Sequence, residues 1–255
     1  MSRRAHAAVL SDLRARIRAL ETTPAWARSE VAATAVPFGI GAIDSALPWS
    51  GLPRACLHEI EGGGGDAGAA TGFAAALLAR LIADRGPALW CLGRVDLHGP
   101  GLAAFGLDAG RLIVVRARTP EQVLWVLEEG LRARRLGAVL GEVGGIDLTA
   151  SRRLQLAAQA SGTTCLLLYR TRRARAPATA AQTRWRVGPA PGAPAPGFDA
   201  PDASRWRVEL TRCRGAAGAR HWSIEWSHET HRFAVAAPLA DRSGTPADIG
   251  LGQAV

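Results

Sequence analysis

A glycine-rich stretch, EGGGGDAGAATGF from Glu61 to Phe73, lies between an apolar run that predicts a strand and one that predicts a helix. At such a junction, backbone N–H groups and the positive end of the helix can bind phosphate. Gly63 and Gly68 have the G-x-x-x-x-G spacing of a nucleotide-binding loop. However, Ala69 and Ala70 stand where that loop requires lysine and a serine or threonine.

The chemistry of such a loop depends on the two side chains that are missing. The lysine neutralises the β- and γ-phosphates, and the hydroxyl binds Mg²⁺. All 31 basic residues of the chain are arginine, so no lysine elsewhere can complete the loop. Thr71 comes one position late, and Asp66 would repel phosphate. We therefore interpret the stretch as the remains of a nucleotide site, kept as a turn, and do not expect efficient hydrolysis.

A carboxylate at the end of a later predicted strand is the candidate for holding Mg²⁺. Glu142 ends the run GAVLGE, although a lone acid at a strand end is also typical of a helix cap. We expect no cofactor, with weak binding of ATP and Mg²⁺ through the loop backbone as the alternative. No catalytic residue and no metal centre is predicted. The candidate residues of the degenerate nucleotide-binding loop are Gly63, Gly64, Gly65, Asp66, Gly68, Thr71 and Glu142.

Alternating apolar segments between residues 55 and 170 must position these candidates. The strand-like runs are ACLHEIE, ALWCLG, RLIVVRA, GAVLGEV and TTCLLLYR, with helical patterns between them. Because these runs are apolar throughout, we expect an α/β fold with a mostly parallel sheet that helices cover on both faces. Shorter runs of alternating character after Arg170 predict an antiparallel C-terminal extension.

The predicted domain organisation has three parts. Residues 1–36 are expected to form an N-terminal helix and a linker. Residues 37–237 form the core, which includes a Pro/Gly-rich loop at 189–204, and residues 238–255 form a flexible tail.

Composition limits the function classes. The 255 residues, 48% of them hydrophobic, suffice for one sizeable core. No run of about 18 apolar residues predicts a membrane span, and the arginine-rich N-terminus lacks the apolar stretch of a secretory signal, so we expect a cytoplasmic protein without a membrane partner. The net charge of +9 favours polyanions or an acidic protein surface. Four widely spaced cysteines are predicted to be buried thiols: Cys56, Cys91, Cys165 and Cys213.

A basic segment without periodicity, TRRARAPATAAQ from Thr171 to Gln182, follows the last predicted parallel strand. Its arginines are candidates for contacts with DNA phosphates, which position nucleic acid without reading its sequence. A solvated basic loop is the equal alternative. The candidate DNA-binding residues are Arg170, Arg172, Arg173 and Arg175. For the tryptophans of the later strands, packing is favoured over base stacking: Trp185, Trp206, Trp222 and Trp226.

The stretch FGIGAIDSALPWSGLPRACLHEIEGGGGDAG, Phe38 to Gly68, resembles the start of the RecA core. In a RecA-like core the catalytic glutamate follows the strand that corresponds to ALWCLGR, but here Gly93 and Arg94 stand there, with Asp96 nearby. The resemblance also implies that the second DNA-binding loop corresponds to the basic segment. The matching residues are Ile43, Asp44, Ala46, Leu47, Gly51, Leu52, Pro53, Arg54, Glu59 and Ile60.

A RecA-like core with a degenerate loop, on a chain of this size, resembles the ImuA family. That resemblance implies a non-catalytic accessory protein of SOS-induced mutagenesis and translesion DNA synthesis. The implied partners are an inactive Y-family polymerase homologue and an error-prone DNA polymerase complex, with RecA and DNA as further candidates. Two alternatives stay open: a weak DNA-dependent ATPase of the RecA type, and an SOS cell-division inhibitor like SulA.

Overall fold

The computed structural model of the protein describes residues 35–62, 67–133, 135–170, 178–191, 204–216 and 218–236. The predicted N-terminal helix, loop residues 63–66, the arginines of the basic segment after Arg170, and the predicted tail lie outside these ranges. The helices are α1 (Gly41–Asp44), α2 (Ala67–Leu81), α3 (Gly99–Ala103), α4 (Pro120–Arg132) and α5 (Leu148–Ser161). The strands are β1 (Leu57–Gly62), β2 (Ala88–Leu92), β3 (Leu112–Arg116), β4 (Ala138–Glu142), β5 (Thr164–Tyr169), β6 (Thr183–Pro189), β7 (Ser204–Cys213), β8 (Arg220–Ser227) and β9 (Arg232–Val235).

The described strands form one sheet in the order β3-β2-β4-β5-β1-β6-β7-β8-β9. Neighbouring strands from β3 through β6 are parallel, and β7, β8 and β9 continue the sheet antiparallel. The α/β prediction, with its antiparallel C-terminal extension, is confirmed. Because the strands of the parallel half run in one direction, the carboxyl ends of β1, β2, β4 and β5 meet at one edge, next to the start of α2.

Strand β3 is an exception to the predicted burial of the apolar strands. It lies at the edge of the sheet and pairs only with β2 among the described strands. Ile113 is 46% and Val114 is 50% exposed. An apolar run therefore did not guarantee that helices cover the strand, because its position in the strand order also decides burial.

Two residues of the RecA-like motif fix the chain around α2. The Asp44 carboxylate accepts the N–H groups of Phe38 and Gly39 at 2.7 and 3.0 Å, which closes the turn before α1. The Arg54 guanidinium donates to the Leu81 carbonyl at 2.5 Å and to the Asp84 carboxylate at 2.6 Å. These side chains satisfy backbone groups at turns and at a helix end, so the motif has a structural role here.

Apolar side chains fill both faces of the sheet. One face carries an aromatic core in which Phe38, Phe73 and Phe233 contact the strand tryptophans. Trp185, Trp206 and Trp226 are buried and Trp222 packs against them, so the prediction of packing is confirmed. The other face packs against α4 and α5.

The four cysteines are free and buried, as predicted. None of the described helices has the length and apolar character needed to cross a bilayer.

A buried ion pair joins β1 to β6. The Glu59 carboxylate, 1% exposed, accepts from Arg184 Nε at 2.5 Å and from the Thr179 hydroxyl at 2.8 Å. The Tyr169 hydroxyl lies 3.5 Å from the same carboxylate. Removing one partner of such a pair leaves a charge in the interior, which costs more than losing a surface pair.

A buried histidine on the same strand is held in one neutral form. Nε2 of His58 lies 2.8 Å from the Pro53 carbonyl, which can only accept, so Nε2 carries the proton. Nδ1 accepts from the Thr183 hydroxyl at 2.7 Å, and the Thr183 oxygen in turn accepts from the Trp185 indole N–H. Burial outweighs the Pro53 hydrogen bond and lowers the pKa of His58 to about 4.

We predict that Arg184→Met lowers the free energy of unfolding by about 3–5 kcal/mol, because Glu59 loses its guanidinium partner in the interior. The control is Arg132→Ala, which removes an exposed ion pair with Glu129 and should cost less than about 1 kcal/mol. Urea denaturation at neutral pH measures both values. Equal losses in the two variants would contradict this account of the buried pair.

We also predict that acid weakens the fold through His58. The folded pKa lies below the ordinary value of about 6.5, so the unfolded chain takes up the proton first. The stabilising contribution of neutral His58 is therefore present above pH ~6.5 and is lost at about 1.4 kcal/mol per pH unit between ~6.5 and ~4. Unfolding curves of the wild type and His58→Asn across this range measure it. Parallel pH profiles for the two proteins would disprove it.

Candidate functional site

The candidate site lies where the carboxyl ends of β2, β4 and β5 face the first turn of α2. A cavity of ≈ 350 Å³ opens there, and its lining includes Ala67, Gly93, Arg94, Glu142 and Arg170. The sequence-predicted residues Gly68, Thr71, Glu142 and Arg170 belong to the elements around this edge. Loop residues 63–66, and with them four of the predicted candidates, fall outside the described ranges, so their role stays a prediction.

The first turns of α2 offer no side chain for Mg²⁺ at the usual positions. Ala69 is 7% exposed and Ala70 is fully buried, and both belong to the aromatic side of the core. The Thr71 hydroxyl donates to the Ala67 carbonyl at 2.8 Å. Its proton is used on the backbone of its own helix, as serine and threonine often do within helices. The side chain of Thr71, one position after the usual metal ligand, therefore lies against its own helix.

Glu142 is enclosed and already has partners. Its side chain is 8% exposed, and Oε1 accepts from the Trp90 indole N–H at 3.1 Å. Oε2 lies 3.5 Å from Arg170 Nη1. Burial raises the pKa of Glu142, while the Trp90 hydrogen bond and the Arg170 charge oppose that rise. Trp90 was not among the predicted site residues, because an indole inside an apolar strand carries no sequence signal of a polar role.

Arg170 binds two carboxylates at once. The same Nη1 that approaches Glu142 lies 2.6 Å from Oδ2 of Asp96, in the segment after β2. Burial lowers the pKa of Arg170. The hydrogen bond to Asp96 and the charge of Glu142 together raise it by more, so the net shift is upward. The guanidinium of Arg170 is 29% exposed and is engaged with these carboxylates, and its predicted contact with DNA stays a prediction. We call Arg170, Glu142 and Asp96 the carboxylate clamp.

The clamp places a permanent cation at the position where the carboxylates would otherwise attract a divalent one. A guanidinium stays protonated in proteins and cannot leave its tether, whereas Mg²⁺ is exchangeable. Among the described residues, the carboxylate at the end of β4 is therefore compensated from within the chain. The described part of the site does not fit Mg²⁺–nucleotide, because the lysine and the hydroxyl ligand are absent and Glu142 is engaged.

The core holds the described chain on both sides of residues 171–177, the part of the basic segment that carries its arginines. Arg170 stands on one side, within the clamp. On the other side, the Thr179 hydroxyl donates to Glu59 and lies 2.9 Å from the Ser151 hydroxyl of α5, and the Ala180 N–H donates to Ser151. The core thus fixes where this segment leaves and re-enters it. The predicted DNA contacts of Arg172, Arg173 and Arg175 lie outside the described residues and stay a prediction.

The comparisons with known proteins agree with this architecture. No protein-family model matches the chain. Protein ImuA from two strains of Caulobacter vibrioides is 38% identical over 228 residues, which cover 84% of this chain and 93% of the relative. The crystal structure of the RadB recombinase matches with a TM-score of 0.56 and 12% identity, covering 79% of this chain and 100% of that one. At this identity the likeness to RadB concerns the fold alone.

We predict that Arg170→Ala creates a site for a divalent cation at the clamp. Asp96 and Glu142 would keep their places at neighbouring strand ends without a cation between them, and carboxylate oxygens bind Mn²⁺. Electron paramagnetic resonance titration with Mn²⁺ should show binding to Arg170→Ala and none to the wild type. The double variant R170A/E142Q is the control and should lose the gained binding. Equal Mn²⁺ binding by wild type and Arg170→Ala would refute the interpretation that the Arg170 guanidinium takes the place of a divalent cation.

Proposed function

The chain belongs to the ImuA family, and we propose that it is a non-catalytic, RecA-like accessory protein of SOS-induced mutagenesis and translesion DNA synthesis. The observation that carries this proposal is the carboxylate clamp. Arg170 holds Glu142 and Asp96 at the edge where a RecA-type ATPase would hold Mg²⁺ and nucleotide. The 38% identity to Protein ImuA supports the family context.

The loss of the nucleotide machinery supports a role in binding rather than turnover. Positioning and charge neutralisation supply nearly all of the catalysis in phosphoryl transfer. At the start of α2, Ala69 and Ala70 provide neither charge nor ligand, and the Thr71 hydroxyl is used by the helix backbone. The proposal therefore includes no cofactor, and the protein acts through its contacts in the cytoplasm.

Protein partners are the first kind of contact that we propose. The inactive Y-family polymerase homologue and the error-prone polymerase complex are the partners, and RecA is a further candidate. The outer face of α4 supports a protein contact, since Trp125 is 64% exposed there while Val123 and Leu127 of the same helix are buried. Tryptophan is among the residues that most often anchor protein interfaces.

DNA is the second kind of contact. The net charge of +9 favours a polyanion, and the core holds Arg170 and Thr179, which lie on either side of the arginines of the basic segment. Phosphate contacts made by Arg172, Arg173 and Arg175 would give affinity without sequence preference. Such contacts would not depend on a bound nucleotide, because Arg170 of the chain itself, rather than Mg²⁺ with a nucleotide, compensates the carboxylates beside the segment.

We predict that the purified protein hydrolyses ATP no faster than the buffer blank, with Mg²⁺ and with or without single-stranded DNA. A RecA protein assayed in parallel is the positive control. In the same preparation, the protein should still capture the polymerase homologue, and Trp125→Ala should weaken that capture while leaving the melting temperature unchanged. Clear DNA-stimulated turnover would instead establish the ATPase alternative and end the non-catalytic proposal.

A further inference from the structure

The antiparallel part of the sheet has two unlike faces. Toward the aromatic core, β6, β7 and β8 present buried side chains such as Trp185, Val208 and Ile224. The alternate positions of these strands point to the opposite face, where no large apolar side chain occurs in β6, β7 or β8. In β7 the alternation shifts by one residue at a β-bulge at Thr211, which brings Arg212 opposite Arg184. Five arginines occupy that face, and we call them the arginine face: Arg184, Arg186, Arg205, Arg207 and Arg212.

The strand register brings these arginines together. Arg184 lies opposite Arg212, and Arg207 lies opposite Gly188 on one side and Ser223 on the other. Directly opposed side chains in antiparallel strands have their Cβ atoms about 5 Å apart, and diagonal ones about 7–8 Å. Arg207 therefore stands between two small residues, with neighbouring guanidinium groups within reach of one extended anion.

The charges on this face do not balance. Arg184 pairs with Glu59, Arg186 with Glu209 at 2.8 Å, and Arg205 with Glu225 at 3.0 Å. Arg207 and Arg212 are exposed and form no ion pair with any residue in the described part of the chain. Ion pairs thus hold three arginines in place, and two remain for an external anion.

The chemistry of the face fits phosphates better than a protein surface. Protein interfaces depend on a desolvated centre of large apolar or aromatic side chains. The positions on this face carry arginine, glutamate, serine and threonine, with His221 and Gly188, and no aromatic or large aliphatic group. Binding to a nucleic-acid backbone needs only correctly placed positive charge.

The arginine face lies on the same side of the sheet as Thr179, so a bound nucleic-acid strand could extend from the basic segment onto the face. The Thr179 hydroxyl, which also bonds to Ser151 of α5, donates to Glu59, the carboxylate that Arg184 binds. The description of the chain resumes at Ala178, so the C-terminal part of the basic segment, with Thr179, lies beside Arg184, the first arginine of the face. A strand of nucleic acid at this point can continue across β6 and β7.

We propose that the arginine face is a nucleic-acid phosphate-binding surface, with Arg207 and Arg212 as its contact residues. This inference rests on the DNA contact in the proposed function and extends it to residues outside the basic segment. Arg186 and Arg205, fixed by Glu209 and Glu225, shape the surface around them. The surface binds the backbone and does not read bases.

The test is fluorescence anisotropy with labelled single-stranded DNA over a range of salt concentrations. Each phosphate contact contributes about 0.7 to the slope of log K against log salt, or about 5-fold in affinity at 0.1 M salt. R207Q/R212Q should therefore bind about 25-fold more weakly, with a slope smaller by about 1.4. Glu209→Gln should act in the opposite direction and bind about 5-fold more tightly, because it releases Arg186 for one further contact.

The matched control is R116Q/R118Q, which removes two exposed arginines at the opposite end of the sheet and the same net charge. It should leave affinity and slope unchanged. The variant R172Q/R173Q/R175Q tests the basic segment separately. If only this segment variant loses DNA, the arginine-face proposal fails while the DNA contact of the proposed function stands. If R207Q/R212Q binds DNA like the wild type but loses the polymerase homologue, the face is a protein surface and the proposal is wrong.

Discussion

Glu59 connects the two halves of the sheet. It sits on β1, the strand that pairs with both β5 and β6, and its carboxylate binds Arg184 of β6 and Thr179 before it. A carboxylate that is 1% exposed stabilises the fold only when its hydrogen bonds and its charge are satisfied. This buried pair therefore adds a side-chain link to the backbone pairing of β1 with β6, the strand from which the antiparallel part of the sheet continues.

The carboxylate clamp compensates the carboxylates at this edge of the sheet from within the chain. In a nucleotide-dependent protein, Mg²⁺ and phosphate hold the strand ends together only while they are bound. Here the compensating charge is the Arg170 guanidinium, which belongs to the chain itself. The contact surfaces near this edge would then be independent of nucleotide, and regulation would pass to the abundance of the protein and of its partners.

The sequence was informative where residues are close along the chain. The strand–loop–helix order around Gly68 and the alternation of segments up to residue 170 predicted the parallel sheet, since both are local patterns. The pairing of Glu59 with Arg184 joins residues that are 125 positions apart, and no local pattern predicts it. For the same reason, the sequence does not predict that the Arg170 guanidinium lies beside two carboxylates from other strand ends.

The open edge of β3 affects the behaviour of the isolated protein in solution. Its outer backbone groups are unpaired within the described sheet, and Ile113 and Val114 are about half exposed. At one end of β3, Arg116 is exposed and carries a charge that can repel another strand edge. At the other end, the Arg111 guanidinium is bound to the carbonyls of Ile82 and Arg85. Strand edges of this kind pair with one another unless charge keeps them apart. High concentration and high salt would therefore favour self-association, and purification at moderate salt suits this chain.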